Sequence, residues 1–131
     1  VEDALKEYVE ANATLAFAEG SPLPIPKDLK VGAAPYLGGL ADTAGELRRF
    51  ILDSLRRDDF SRCEELLDVM DEIYTILVTM DFPDAVTRGL RRNTDMVRGV
   101  LERTRGDLTV ALRQRRLEEK LADASGPRSN S

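Results

Sequence analysis

Apolar residues recur at spacings of three and four along most of the chain, the period that puts side chains on one face of an α-helix. Four stretches carry the pattern. From Glu2 to Glu19 the stripe is Leu5, Val9, Ala13 and Ala16, and Gly20, Ser21 and Pro22 stop it. Ser21 to Ala34, with three prolines, reads as a loop. Pro35 suits the first turn of a second helix, whose stripe of Leu37, Leu40, Ala44, Leu47, Ile51 and Leu55 runs to near Arg57. A third helix is expected from Asp59, acting as its cap, through Leu66, Leu67, Met70, Ile73, Tyr74 and Leu77 to about Met80. Beyond Pro83, Leu90, Val97, Leu101, Leu108 and Leu112 mark a long fourth helix. Its Gly89, Gly99 and Gly106 each lower helix stability by about 1 kcal/mol relative to alanine, a cost that close helix packing would explain.

With no strand pattern and no repeat, these elements predict an all-α fold, an antiparallel helical bundle. Residues 1–121 are expected to form one helical domain and residues 122–131 a flexible tail. The third helix is apolar on more than one face, since Val69, Ile76 and Val78 flank the main stripe. Such width predicts burial on two sides, one of them against a neighbouring subunit.

Composition narrows the chemistry. The chain has 131 residues, 42% hydrophobic and 33% charged, and contains no histidine, which excludes Ser-His-Asp and Cys-His catalysis and histidine-bound metal sites. Any catalysis falls to carboxylates, cations or hydroxyls. One cysteine, Cys63, has no partner for a disulfide within the chain and reads as a small core side chain. A reducing compartment follows, and with no apolar run of about 20 residues the expected location is cytoplasmic, with no membrane partner. Val1 stands where an initiator Met would, so a preceding segment of the natural chain is expected.

Two acidic pairs sit at helical spacing. Glu7 and Glu10 are three residues apart, Asp42 and Glu46 four, so each pair shares a helix face. If the two helices pack side by side, the four carboxylates converge, and a divalent cation relieves their repulsion. Hard oxygen donors favour Mg2+, with Mn2+ also suited. Such an ion activates water and orients a phosphodiester. The spacing alone fits a solvated acidic surface as well.

The words around these acids are more telling: LKEYVEA at Leu5 to Ala11, YLGGLADTAGELRRF at Tyr36 to Phe50, and VRGVLERTRGDLTVALRQRRLEEKL at Val97 to Leu121. They resemble the translin family, particularly translin-associated factor X and its archaeal relatives, over about Leu5 to Leu121. The resemblance implies an all-helical subunit in a hollow, often eight-membered assembly that encloses RNA. It also implies Mg2+-dependent endoribonuclease activity on single-stranded RNA, with Glu7, Glu10, Asp42 and Glu46 as metal-binding and catalytic acids. Partners are further copies of the chain, octameric at full length, or a translin-type subunit. The family's earlier basic segment has no counterpart before Val1.

The charge distribution is uneven. The net charge is −5, yet residues 1–83 hold 8 Lys or Arg against 17 Asp or Glu, while residues 84–121 hold 10 against 6. The basic last helix is therefore where phosphate contacts are expected, although individual arginines fit surface ion pairs equally well. Arg48 and Arg49 are better placed to hold a carboxylate or meet phosphate near Glu46. Tyr8, Phe17, Phe50 and Tyr74 are expected in core or interface packing. A second enzyme reading, an all-α nucleoside triphosphate pyrophosphatase, would use Glu65 and Asp68, and a non-catalytic RNA-binding assembly subunit is the third.

Overall fold

The computed structural model describes residues 33–79 and 87–125, together with Glu10, and every regular element among them is helical. We label Ala33–Arg56 α1, Cys63–Thr79 α2 and Thr87–Ser125 α3. Each packs on the other two. Tyr74 meets Arg98 and Asp71 meets Arg105, so numbering rises along α2 as it falls along α3, and these two run antiparallel. Along α1 and α3 the numbering rises together: Arg48 lies against Thr104, and Leu55 shares a cleft with Ala111. The order is up, down, up.

The core is the meeting of the three expected stripes. Leu37, Leu40, Ala44, Leu47 and Ile51 of α1 are buried against Leu66, Leu67, Met70, Ile73 and Leu77 of α2 and Val97, Leu101 and Leu108 of α3. Tyr36, Ala41 and Cys63 are buried with them. Three hydroxyl side chains are also buried, Thr43, Ser54 and Thr104; Thr43 and Thr104 each donate to the carbonyl four residues back, Gly39 at 2.8 Å and Val100 at 2.7 Å. Among the described residues no buried side-chain polar atom lacks a partner, as close packing in a low-dielectric interior requires.

The turn between α1 and α2 differs from expectation. α1 ends in a Schellman motif: Asp59 N–H donates to Ser54 O at 2.9 Å and Asp58 N–H to Leu55 O at 3.1 Å, with Asp58 at φ 56° in the left-handed region. Asp59 does not cap α2. Its carboxylate accepts from Ser61 N–H at 3.1 Å and Ser61 Oγ at 2.6 Å, an Asx-turn that delays the helix until Cys63. Those hydrogen bonds, with the nearby Arg57 charge, hold the Asp59 carboxyl below the usual range. Burial pushes the Cys63 thiol up, as a core position requires.

The apolar width of α2 is largely used within the chain, since Val69 and Ile76 pack on the core and Val78 stays exposed. At the other end, α3 continues to Ser125, so residues 122–125, expected in the tail, are helical. The expected helix over Glu2 to Glu19 lies outside the described residues except for Glu10, which is helical and half-buried. No helix among the described residues is long and apolar enough to cross a membrane.

Candidate nucleic-acid interface and acidic site

Asp42 and Glu46 sit one turn apart on α1, on the side turned away from the core stripe. Near the start of α1 burial reaches most of the way round the helix, taking in Pro35, Gly39 and Ala41, and Asp42 lies at the margin of this covered part. It is half-buried and has an interaction of its own, while Glu46, one turn on, is exposed. Glu10 is likewise half-buried and engaged. Glu7 lies outside the described residues. Among the described residues no three carboxylates or thiols gather as a metal cage.

Asp42 and Glu46 nevertheless suit Mg2+ in one respect. That ion dehydrates reluctantly and commonly takes one or two carboxylates, with water and phosphate oxygens filling its octahedron. A half-buried acid followed one turn later by an exposed one presents hard oxygens at a surface where a phosphodiester can approach.

Arg48 holds a different carboxylate from the one expected. Its guanidinium donates to Thr104 Oγ1 at 3.1 Å and pairs with Asp107 at 3.0 Å, which ties α1 to α3 rather than serving Glu46. Arg49 is exposed on the face that carries Asp42 and Glu46. Spacing along one helix shows which residues share a face, and the Arg48 pairing depended on α3, 56 residues further on. Phe50, expected in core or interface packing, is 44% exposed.

The basic residues of α3 divide by partner. Arg98 donates to the Tyr74 hydroxyl at 3.3 Å, which raises its pKa, with the charges of Asp95 and Glu102 adding to the shift. Arg105 pairs with Asp71 at 3.0 Å, and Arg115 pairs with Glu119 at 3.1 Å while lying over the Phe60 ring. Arg113, Arg116 and Lys120 line one shallow surface with Leu117. They form an exposed cationic patch toward the C-terminal end of the helix, and Arg91, Arg92 and Arg103 are exposed nearer its start. Glu65 and Asp68, the acids of the pyrophosphatase reading, are exposed on α2, and Glu65 is engaged by Arg62 at 3.3 Å.

No family model matches the chain. An uncharacterized protein of Methanocaldococcus jannaschii is 33% identical over 117 residues, 88% of this chain and 52% of that protein. Two solved structures are similar as well. The crystal structure of AfC3PO aligns with a TM-score of 0.75 at 40% identity, and AfC3PO in complex with duplex RNA with 0.74 at 39%. Both cover 87% of this chain and 60% of the other. The three described helices thus carry the translin-like helical fold of AfC3PO. The chain spans about half the length of the curated relative and three-fifths of the solved one.

Proposed function

We propose that this chain is an RNA-binding, RNA-cleaving subunit of a translin-type assembly, of the translin-associated factor X kind. The observation that carries the reading is its 39% identity, over 87% of its length, to a protein solved with duplex RNA. The acidic motif on α1 supports the catalytic part. Asp42 and Glu46 offer hard oxygen ligands at a surface, and Glu7 and Glu10 complete the set in the proposal. Bound there, Mg2+ supplies a lowered water pKa and stabilises charge on phosphate oxygens. The protein's own share is to set the carboxylates on one helix face and to present Arg49 beside them to the RNA backbone. Further copies of the chain, or a translin-type partner, enclose the RNA.

The test is cleavage of a labelled single-stranded RNA, with a duplex of the same sequence in parallel, at several Mg2+ concentrations. Single-stranded RNA is expected to be cut, and Asp42→Asn and Glu7→Gln to lower the rate by about a hundredfold or more, the scale on which one group of a catalytic set acts. Removal of Mg2+ is expected to abolish it. Unchanged cutting by both folded variants removes the catalytic assignment. RNA binding without any cutting leaves an assembly subunit that only holds RNA.

A further inference from the structure

Of the six exposed large hydrophobic side chains among the described residues, four lie on α3: Met96 at 45%, Val110 at 64%, Leu117 at 57% and Leu121 at 61%. They are not scattered. Met96, Gly99, Arg103, Gly106, Val110, Leu117 and Leu121 follow one another by threes and fours, with one seven-residue step, and form a single stripe on the side away from Val97, Leu101 and Leu108. Alternation of three and four is the spacing of a helix that packs along a second helix.

The two glycines of this stripe find no reason among the described residues. A methyl group added at Gly106 would meet nothing within 4 Å, and at Gly99 it would meet only the far end of the Arg103 side chain. Close packing among the described residues, the explanation the sequence suggests, therefore does not account for them. Each lies in mid-helix, where glycine costs stability, and a backbone without Cβ on an outer face admits close approach of another surface.

We propose that this stripe is an interface between two copies of the chain, with their α3 helices packed antiparallel. The inference gives a surface to the self-association proposed above and is independent of RNA cleavage. Its register follows from complementarity. A two-fold axis beside residues 107 and 108 sets Val110 over the partner's Gly106 and Leu117 over the partner's Gly99, large side chains into glycine gaps. The same axis sets Glu102 across from the partner's Arg113 and Asp95 across from the partner's Lys120. Size and charge thus select one register independently.

The flanking charges suit this use. Asp95 and Glu102 lie in the first half of α3, Arg113 and Lys120 in the second, beside the same edge of the stripe. Of the other cations of that edge in the first half, Arg98 turns to Tyr74 and Arg105 to Asp71 of α2, while Arg91 is exposed near the start of the helix. In an antiparallel pair related by a two-fold axis like edges meet, so acidic half faces basic half twice. A parallel pair would set each half beside its own copy.

The decisive experiment is a charge swap read by sedimentation of the 131-residue chain. Glu102 and Arg113 are about 16 Å apart along one helix at 1.5 Å per residue, so they couple only between copies. The unmodified chain is expected to form a dimer or an even multiple of it. Glu102→Arg and Arg113→Glu should each weaken association about tenfold, since two flanking pairs turn from attraction to repulsion. The double variant should return to within about threefold of the original. Leu117→Glu should dissociate the pair, and circular dichroism should show all variants equally helical. A chain that is monomeric at every concentration, single reversals without effect, or a double variant that fails to restore association overturns the proposal. Loss of affinity for a single-stranded RNA in Arg113→Glu with sedimentation unchanged assigns the face to RNA and also overturns it.

Discussion

α2 and α3 are stabilised in different ways. In 17 residues α2 buries Cys63, Leu66, Leu67, Met70, Ile73 and Leu77, a side chain in the core at every turn. α3 has 39 residues and buries Val97, Leu101, Thr104 and Leu108, while residues 113–125 are exposed throughout. Isolated helices are marginal in water, and tertiary contact supplies most of their stability. The sparse burial along α3, and its mid-helix glycines, mean that its outer half draws little from this chain's own core. Helix length and helix stabilisation are separate properties here, and the excess length is surface available to something else.

The contrast is broken most severely at Met70. Truncation of this fully buried side chain, Met70→Ala, is expected to cost about 3 kcal/mol in urea unfolding, within the range for large-to-small core changes. The matching truncation on α3, Leu117→Ala, should cost under about 0.5 kcal/mol in protein too dilute to associate. Equal costs would show that α3's outer stripe is buried within the monomer.

A smaller, opposite effect is expected at the α1 end. Asp58 holds a left-handed conformation that costs a non-glycine residue energy. Asp58→Gly should therefore stabilise the chain by about 0.5 kcal/mol, the conformational relief being partly offset by a freer unfolded chain. A lowered melting temperature would mean that the Asp58 side chain has a favourable role there.

The smallest effect is in pH dependence. The Asp59 carboxyl is depressed in the folded chain, so its contribution is present above its unfolded pKa of about 3.9 and is lost as pH falls through the lower folded value. The gap in urea midpoint between the original chain and Asp59→Ala should narrow as pH is lowered from 5 to 3. A gap that stays constant would remove the charged Asx-turn from the account.

Periodicity made the three described helices legible, because a buried stripe must repeat every three or four residues wherever the partner lies. The expected end near Arg57 and the observed end at Arg56 agree, while the expected end near Met80 lies outside the described residues. The start of α2 was missed by four residues. Asp59 is a good cap residue by type, but its carboxylate found the Ser61 donors first, and competition between a cap and an Asx-turn is decided by local geometry. The Schellman turn was equally hidden, since its left-handed position carries Asp58 instead of glycine.

The candidate site was legible only as a pattern along the chain. Asp42 and Glu46 do share a face of α1, which spacing alone dictates, but half-burial of Asp42 and exposure of Glu46 depend on what surrounds the helix. Arg48 shows the same limit, since nothing in GELRRF points to Asp107. Four-acid convergence depends on Glu7, which lies outside the described residues, and belongs to the proposal.

The short turn of residues 57–62 also bears on the order in which the chain folds. Closing it brings α1 and α2 together across six residues, whereas the α1 to α3 contact of Arg48 with Thr104 closes a loop of 56. The longer closure costs about 2 kcal/mol more in chain entropy if both loops are flexible. The α1–α2 hairpin is accordingly the native-like unit the chain reaches first, and it offers a preformed apolar groove to α3. Because α3 then anchors through the few residues from Val97 to Leu108, its outer half can meet another molecule while the hairpin stays intact.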